Sequence, residues 1–143
     1  MAKILFFCVL FSAESLHAQR VTSVCHLCVD ADDKITGDTV AVNATITHFF
    51  LLESGKIRLN IADKGCSLLG EIDTLNSELR HWFLAKYQPT YHSKRIDKRM
   101  RIMGIANYEH KRTITENDEY WIEIDPILSM VPLKRSSSKH LKR

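Results

Sequence analysis

The residues best suited to chemistry are the three cysteines that follow Cys8, which itself lies in a segment predicted below to be removed. Thiols can act as nucleophiles, ligate metals or form disulfides. Cys25 and Cys28 are separated by two residues, and Cys66 lies further along the chain. The C-x-x-C spacing is typical of a redox site when it opens a helix after a strand, and of a zinc site when a second ligand pair is present. Neither context is found here. We predict no metal site and a structural disulfide from Cys25 or Cys28 to Cys66, with a thiol-active protein as an alternative.

Carboxylates and histidines give no catalytic pattern. The acidic residues Glu71, Asp73, Glu123 and Asp125 cannot be paired as acid and base from their spacing, and each is explained as a solvated strand or capping residue. The seven histidines are scattered, with no His-Glu-x-x-His pattern, no nucleophile elbow and no phosphate-cradling glycine loop. We therefore predict a protein that is not an enzyme and that uses no cofactor.

Residues 1–18 have the pattern of a secretory signal peptide. Lys3 precedes the apolar run 4–11, and Ala18 is a suitable cleavage position. The apolar run is shorter than the roughly 20 residues that cross a bilayer. The sequence therefore predicts export, to the periplasm or the medium, where disulfides persist.

Hydrophobic alternation predicts the strands that must position any site. Segments 39–47 and 56–61 alternate with period two. Residues 62–65 are predicted to be a hairpin turn, and residues 66–72 its returning strand. Residues 48–55 are predicted to be a connection. Further strands are predicted over 99–106, with a bulge at Gly104, and over 119–125, where Pro126 interrupts the pattern; 107–118 is predicted to be a polar loop.

One segment changes to helical period. Leu75, Leu79, Trp82 and Phe83 fall on one helical face. Asp73 or Thr74 is a suitable N-cap, and the helix must end before Pro89.

The predicted element order is three strands, one helix and two more strands. The oligonucleotide/oligosaccharide-binding (OB) fold, a five-stranded Greek-key barrel, has the same order. Segments 37–46, 101–105 and 120–129 resemble the first, fourth and last strands of small secreted bacterial OB-fold proteins of unassigned function. We predict a mainly β protein of this fold, with another small α+β domain as the alternative. The predicted organisation is a signal peptide at 1–18, an N-terminal segment at 19–35, the barrel at 36–132 and a flexible basic tail at 133–143.

The resemblance implies a ligand site across the second and third barrel strands and the loop between the fourth and fifth. Carried onto this sequence, the predicted ligand-binding residues are Lys56, Arg58, Asn60, Tyr108, Lys111 and Arg112. Their four cations would form a groove for an anionic or polar ligand. Trp121 has outward parity, but we expect the N-terminal segment to cover it. The outer face of the second and third strands has no aromatic residue for stacking bases, so nucleic acid is not the favoured ligand.

The net charge of +3 is concentrated at the C-terminus. Its last ten residues include Lys134, Arg135, Lys139, Lys142 and Arg143. The leading hypothesis is an exported binding module for an anionic polymer or an envelope partner protein. The alternative is a structural or assembly protein of the envelope whose basic tail docks on a membrane surface.

Overall fold

The computed structural model describes residues 20–30, 32–112 and 118–134, and for residues 30, 110–112 and 118–120 it describes the backbone alone. The predicted signal peptide and all of the basic tail beyond Lys134 lie outside the described residues. No helix in the described part of the chain is long and apolar enough to cross a membrane.

The described chain is mainly β, as predicted, with two α-helices and a short 3₁₀ turn. The strands are β1 (Arg20–Thr22), β2 (Thr39–Leu51), β3 (Ile57–Asp63), β4 (Cys66–Ile72), β5 (Lys94–Arg112) and β6 (Asp118–Pro132). The helices are α1 (Val24–Asp30) and α2 (Ser77–Tyr87), and the 3₁₀ turn covers Asp33–Ile35.

Strand pairing closes the sheet into a barrel. The strands follow the order β1-β2-β3-β4-β6-β5, and β2 also pairs with β5. The β2–β5 ladder runs from Thr39 opposite Ile105 to Phe49 opposite Lys94, with an irregularity between Ile46 and His48 that bends β2. Strands β2 to β6, with α2 between β4 and β5, have the order predicted for the OB fold. The prediction of five strands is wrong by one, because β1 adds a short parallel strand beside β2.

Side chains alternate along the strands, so every second residue is apolar and points into the barrel. Val40, Val42, Ala44 and Ile46 of β2 are buried, as are the alternating isoleucine and leucine positions of β3. The ring of Phe49 is fully buried and meets the ring of Phe83 from α2, edge to face, with centroids 5.2 Å apart. Helix α2 therefore covers one end of the barrel. The segment 48–51, predicted to be a connection, is part of β2, and its residue Phe49 belongs to the core.

Two bends in the barrel depend on particular residues. Gly104 lies at a shift in the β5–β6 register, which confirms the predicted bulge. A Cβ atom at this position would come within 2.7 Å of the Pro126 carbonyl oxygen, so β6 approaches β5 too closely for any side chain. The bond between Asp125 and Pro126 is cis, and β6 continues through it.

Three predicted boundaries are wrong, each for a physical reason. Helix α2 begins at Ser77 with Asn76 as its N-cap, because the Asn76 side chain accepts a hydrogen bond from the backbone N–H of Leu79. Leu75 therefore lies outside the helix and is 91% exposed. Residues 94–98, just before the predicted strand 99–106, and residues 107–112 of the predicted loop also belong to β5. This strand pairs with β6 in a long antiparallel ladder despite its polar sequence, because backbone hydrogen bonds do not require apolar side chains.

Candidate functional site: the groove across β3, β4 and β6

The outer face of β3, β4 and β6 carries aligned polar side chains. In the β3–β4 register Arg58 lies opposite Glu71, and Asn60 lies opposite Leu69. Strand β6 runs parallel to β4 on the other side, with Glu123 beside Leu69. Because side chains alternate between the two faces of a sheet, these positions share the outer surface.

A groove with a volume of about 690 Å³ lies on this face. It is lined by Cys28, Arg58, Asn60, Ser67, Leu68, Leu69, Trp121, Ile122 and Glu123. Two of the predicted ligand-binding residues, Arg58 and Asn60, are in this lining. The groove thus lies on the strands that the OB-fold resemblance implied, and β6 contributes one wall of it.

Glu71 is the centre of an ion-pair cluster beside the groove. One carboxylate oxygen, Oε1, accepts hydrogen bonds from Arg58 Nε at 2.9 Å and Arg58 Nη2 at 2.5 Å, and Oε2 accepts from Lys56 Nζ at 3.3 Å. The Glu71 side chain is only 6% exposed, whereas those of Lys56 and Arg58 are about a third exposed. The prediction that Glu71 is solvated is therefore wrong, because the long cationic side chains of Arg58 on β3 and of Lys56 just before β3 cover it.

A second carboxylate, Asp125, adds to this cluster. Asp125 Oδ2 lies 3.7 Å from Lys56 Nζ. Burial raises the pKa of Asp125, and the charge of Lys56 opposes that rise. The hydrogen bond to Glu71 raises the pKa of Lys56, more than its own burial lowers it.

The strand part of the groove is therefore not cationic. The two cations Lys56 and Arg58 share this face with the carboxylates of Glu71, Glu123 and Asp125. Both cations are committed to ion pairs, so this face offers little free positive charge to an acidic polymer.

Trp121 provides an aromatic surface in the groove, although it is not among the predicted ligand-binding residues. Its side chain is half-buried, lines the groove, and donates a hydrogen bond from Nε1 to Glu123 Oε1 at 2.7 Å. This bond orients the indole along β6. The sequence pattern could have identified Trp121 as a groove residue, because Trp121 and Glu123 alternate with the inward residues Ile122 and Ile124.

Asn60 is also oriented by a neighbour. Its Nδ2 donates a hydrogen bond to Thr47 Oγ1 on β2 at 2.6 Å. Only part of its amide is used in this way, so the remaining donor and acceptor capacity can serve a ligand.

The predicted residues of the later segment lie on the β5–β6 hairpin. Tyr108 is half-buried and packs against the core, and its backbone N–H donates to Thr36 Oγ1 at 3.0 Å. Lys111 and Arg112 belong to β5, opposite Glu119 and Asp118 in the register, and their side chains lie outside the described set. The structure therefore does not bring Tyr108 into the groove lining.

The three described cysteines divide into a disulfide and a free thiol. Cys25 of α1 is bonded to Cys66 of β4, which settles the pairing that the sequence left open. Cys28 lines the groove, and its thiol donates to the carbonyl oxygen of Ser67 at 3.3 Å. Burial raises the pKa of the Cys28 thiol, which disfavours the reactive thiolate. Among the described residues, no group of three or more potential ligands is placed to hold a metal ion.

Comparison with solved structures finds similar chains among single-stranded DNA-binding proteins. The mitochondrial protein Rim1 of S. cerevisiae superposes with a TM-score of 0.49 at 13% identity, covering 68% of this chain and 95% of the other. A small single-stranded DNA-binding protein of Streptomyces coelicolor superposes with a TM-score of 0.40 at 10% identity, covering 67% of this chain and 94% of the other. No protein-family model and no curated protein matches the sequence.

Proposed function

We propose that this protein is an exported, single-domain binding module that holds a polar, uncharged ligand in the groove across β3, β4 and β6. The single observation that carries the proposal is the composition of that groove. It combines one oriented indole with amide, guanidinium and carboxylate groups, and the charges of those groups are largely compensated by one another.

The charge balance favours a neutral ligand over a polyanion. A protein that holds a nucleic-acid backbone neutralises several phosphates with free lysine and arginine side chains. In this groove Arg58 is bound to Glu71, and Glu123 adds a further negative charge. The mixed polar groups suit a ligand rich in hydroxyl and amide groups, such as an oligosaccharide segment, which is one of the ligand classes that OB-fold faces accommodate.

Trp121 and Asn60 have distinct parts in this proposal. The indole supplies a flat apolar surface against which a sugar ring packs. Asn60 supplies a donor and an acceptor for hydroxyl groups. Because each is already oriented by a hydrogen bond, little conformational entropy is lost when the ligand binds.

Export is the second part of the proposal, and it rests on residues 1–18 of the sequence. The disulfide between Cys25 and Cys66 supports it, because such bonds persist in oxidising compartments. Mass spectrometry of the protein recovered from its native host tests this part. Cleavage near Ala18 is expected, and an intact N-terminus on the mature protein would contradict export through this peptide.

The chain contains two tryptophans, Trp82 on α2 and Trp121 in the groove, which allows a direct binding assay. In a Trp82→Phe variant the fluorescence comes from Trp121 alone, and in a Trp121→Phe variant it comes from Trp82 alone. We expect neutral oligomers of N-acetylglucosamine or glucose to change the emission of the first variant and not the second. A single-stranded thymidine oligonucleotide serves as the polyanionic comparison.

Asn60→Ala in the Trp82→Phe background completes the assay. Loss of a hydrogen-bonding group from the site should weaken oligosaccharide binding about fivefold to tenfold. Tighter binding of the oligonucleotide than of any neutral oligomer, or saccharide binding that is indifferent to Asn60→Ala, would refute the proposed ligand class.

A further inference from the structure

A second cavity lies where α2 ends, β5 begins and β6 ends. Its volume is about 550 Å³, and it shares no lining residue with the groove. Strand β6 reaches it through Pro132, which lies opposite Met100 of β5 in the register. The cavity is therefore an independent feature of the barrel, and the proposed groove function does not use it.

Positive charge dominates the lining of this cavity. Lys86, Lys98 and Arg99 line it, with Asp97 as the acidic residue among them. The Asp97 carboxylate is already bound, because its Oδ2 accepts a hydrogen bond from Arg95 Nε at 2.6 Å. Its charge is compensated by an arginine outside the lining, so the three lining cations keep a net positive field.

These cations are less neutralised than those of the groove. Lys98 is exposed and has no ion pair within the described residues. The ammonium of Lys86 lies 5.3 Å from the centre of the Trp82 ring, a contact that positions the charge without cancelling it. Within the described part of the chain, the Arg99 guanidinium makes one ion pair, from Nη1 to Asp63 Oδ1 at 3.2 Å, which leaves its other N–H groups for a ligand.

The remaining lining is apolar or hydrogen-bonding. Met100, Pro132 and Leu133 form an apolar side, and Tyr87 lies beside the cations. The hydroxyl of Tyr87 is protonated at neutral pH and can donate a hydrogen bond, as for any tyrosine, and burial raises its pKa further. Lys134, which is exposed, follows directly after the lining residue Leu133, so the basic C-terminal segment starts at the edge of this cavity.

We propose that this cavity binds a phosphate ester. Several anionic oxygens on one group match three cations that line one cavity, and a guanidinium pairs with phosphate through two parallel hydrogen bonds. The apolar side takes the organic part of the ester. Two sources present this chemistry: the headgroup of an anionic phospholipid, and a soluble phosphate ester.

The test compares a Lys86→Gln/Lys98→Gln double variant of the full chain with wild type. Both side chains are exposed, so the fold should be preserved, and thermal unfolding of each variant checks this. Lys34→Gln is the matched control, because Lys34 is an exposed lysine in the 3₁₀ turn and does not line the cavity. Glycerol 3-phosphate, measured by titration calorimetry, probes the soluble source. Co-sedimentation with vesicles of phosphatidylglycerol and phosphatidylcholine, against phosphatidylcholine alone, probes the lipid source.

Each lysine near a phosphate should contribute about fivefold to affinity, so the double variant should bind about 25-fold more weakly than wild type. Such a loss with glycerol 3-phosphate assigns a soluble ester, and the same loss with the anionic vesicles alone assigns a lipid headgroup. The proposal is overturned if wild type binds neither probe. It is also overturned if the double variant, correctly folded, binds as well as wild type, since the C-terminal segment would then account for the attraction. An equal loss in Lys34→Gln would show a general charge effect and likewise overturn it.

Discussion

Replacing Glu71 with glutamine tests the ion-pair cluster on which the character of the groove depends. The substitution keeps the size of the side chain and one carbonyl oxygen, but it removes the negative charge. Lys56 and Arg58 would then face each other across an amide, and Arg58 would lose a carboxylate that accepts two of its N–H groups. The variant should be less stable than wild type, and its groove should carry more positive charge.

The size of the destabilisation follows from the exposure of each partner. Hydrogen bonds to charged groups contribute about 1.5–3 kcal/mol, whereas exposed ion pairs contribute about 0.2–1 kcal/mol. The carboxylate of Glu71 is 6% exposed, which favours the larger range, but its partners Lys56 and Arg58 are about a third exposed and can regain water. We therefore expect the free energy of unfolding to fall by about 2 kcal/mol.

Equilibrium unfolding in urea measures this change directly. In thermal unfolding, the same loss should lower the melting temperature of a domain of this size by roughly 6–12 °C. The matched control is Glu123→Gln, which alters the same residue type on the same face. Glu123 accepts a hydrogen bond from Trp121 Nε1, and glutamine can still accept it, so the control should remain within about 0.5 kcal/mol of wild type.

Two outcomes would refute this reasoning. A change below about 0.5 kcal/mol in Glu71→Gln would mean that the buried carboxylate does not stabilise the barrel, and an equal loss in the control would mean that the effect is not specific to the cluster. The second readout is affinity for a single-stranded oligonucleotide, which should rise in Glu71→Gln with a steeper dependence on salt. An unchanged affinity and salt slope would show that Glu71 does not reduce the positive charge that Lys56 and Arg58 present to a ligand.

Three further changes have defined outcomes. Replacing both Cys25 and Cys66 with serine should lower the free energy of unfolding by about 4 kcal/mol, because the disulfide closes a loop with a sequence separation of 41. Urea denaturation of wild type and variant without reductant measures this loss, and equal denaturation midpoints would contradict it. Gly104→Ala should destabilise the barrel by about 1–3 kcal/mol or more, because the new Cβ atom would come within 2.7 Å of a backbone carbonyl oxygen of β6. An unaltered midpoint of urea unfolding would disprove this close approach. The hydrogen bond to Glu71 raises the pKa of Lys56 in the folded protein, so Lys56 contributes its full stabilisation below the unfolded pKa of 10.5 and loses it as the pH rises through the folded pKa. When stability is measured against alkaline pH, Lys56→Met should therefore decline less steeply than wild type. Parallel curves would mean that Lys56 is not the group responsible.

Local patterns were sufficient for much of the barrel. Alternation with period two predicted β3 to within two residues at each end, because every second side chain of a strand with one buried face is apolar. The hairpin turn after β3 then predicted β4 as the returning strand. The bulge at Gly104 was predictable for a similar reason, since a glycine within an alternating strand marks a bend or a close backbone approach. The ends of β2 and β5 were not, because strands there are held by backbone pairing with neighbours, which polar residues support equally well.

Residue patterns along the chain were enough to predict the mainly β class, the order of β2 to β6 and the outward parity of Arg58, Asn60 and Trp121. The disulfide partner of Cys66 and the charge of the groove became known only from the folded barrel. Both depend on distances between residues far apart in the chain, and residue spacing carries no information about those. Glu71 shows the difference most clearly: its position on an outer face is a local property, but its burial comes from the side chains of the adjacent strand. A cationic groove predicted from residue types thus became a compensated one, and the proposed ligand changed with it.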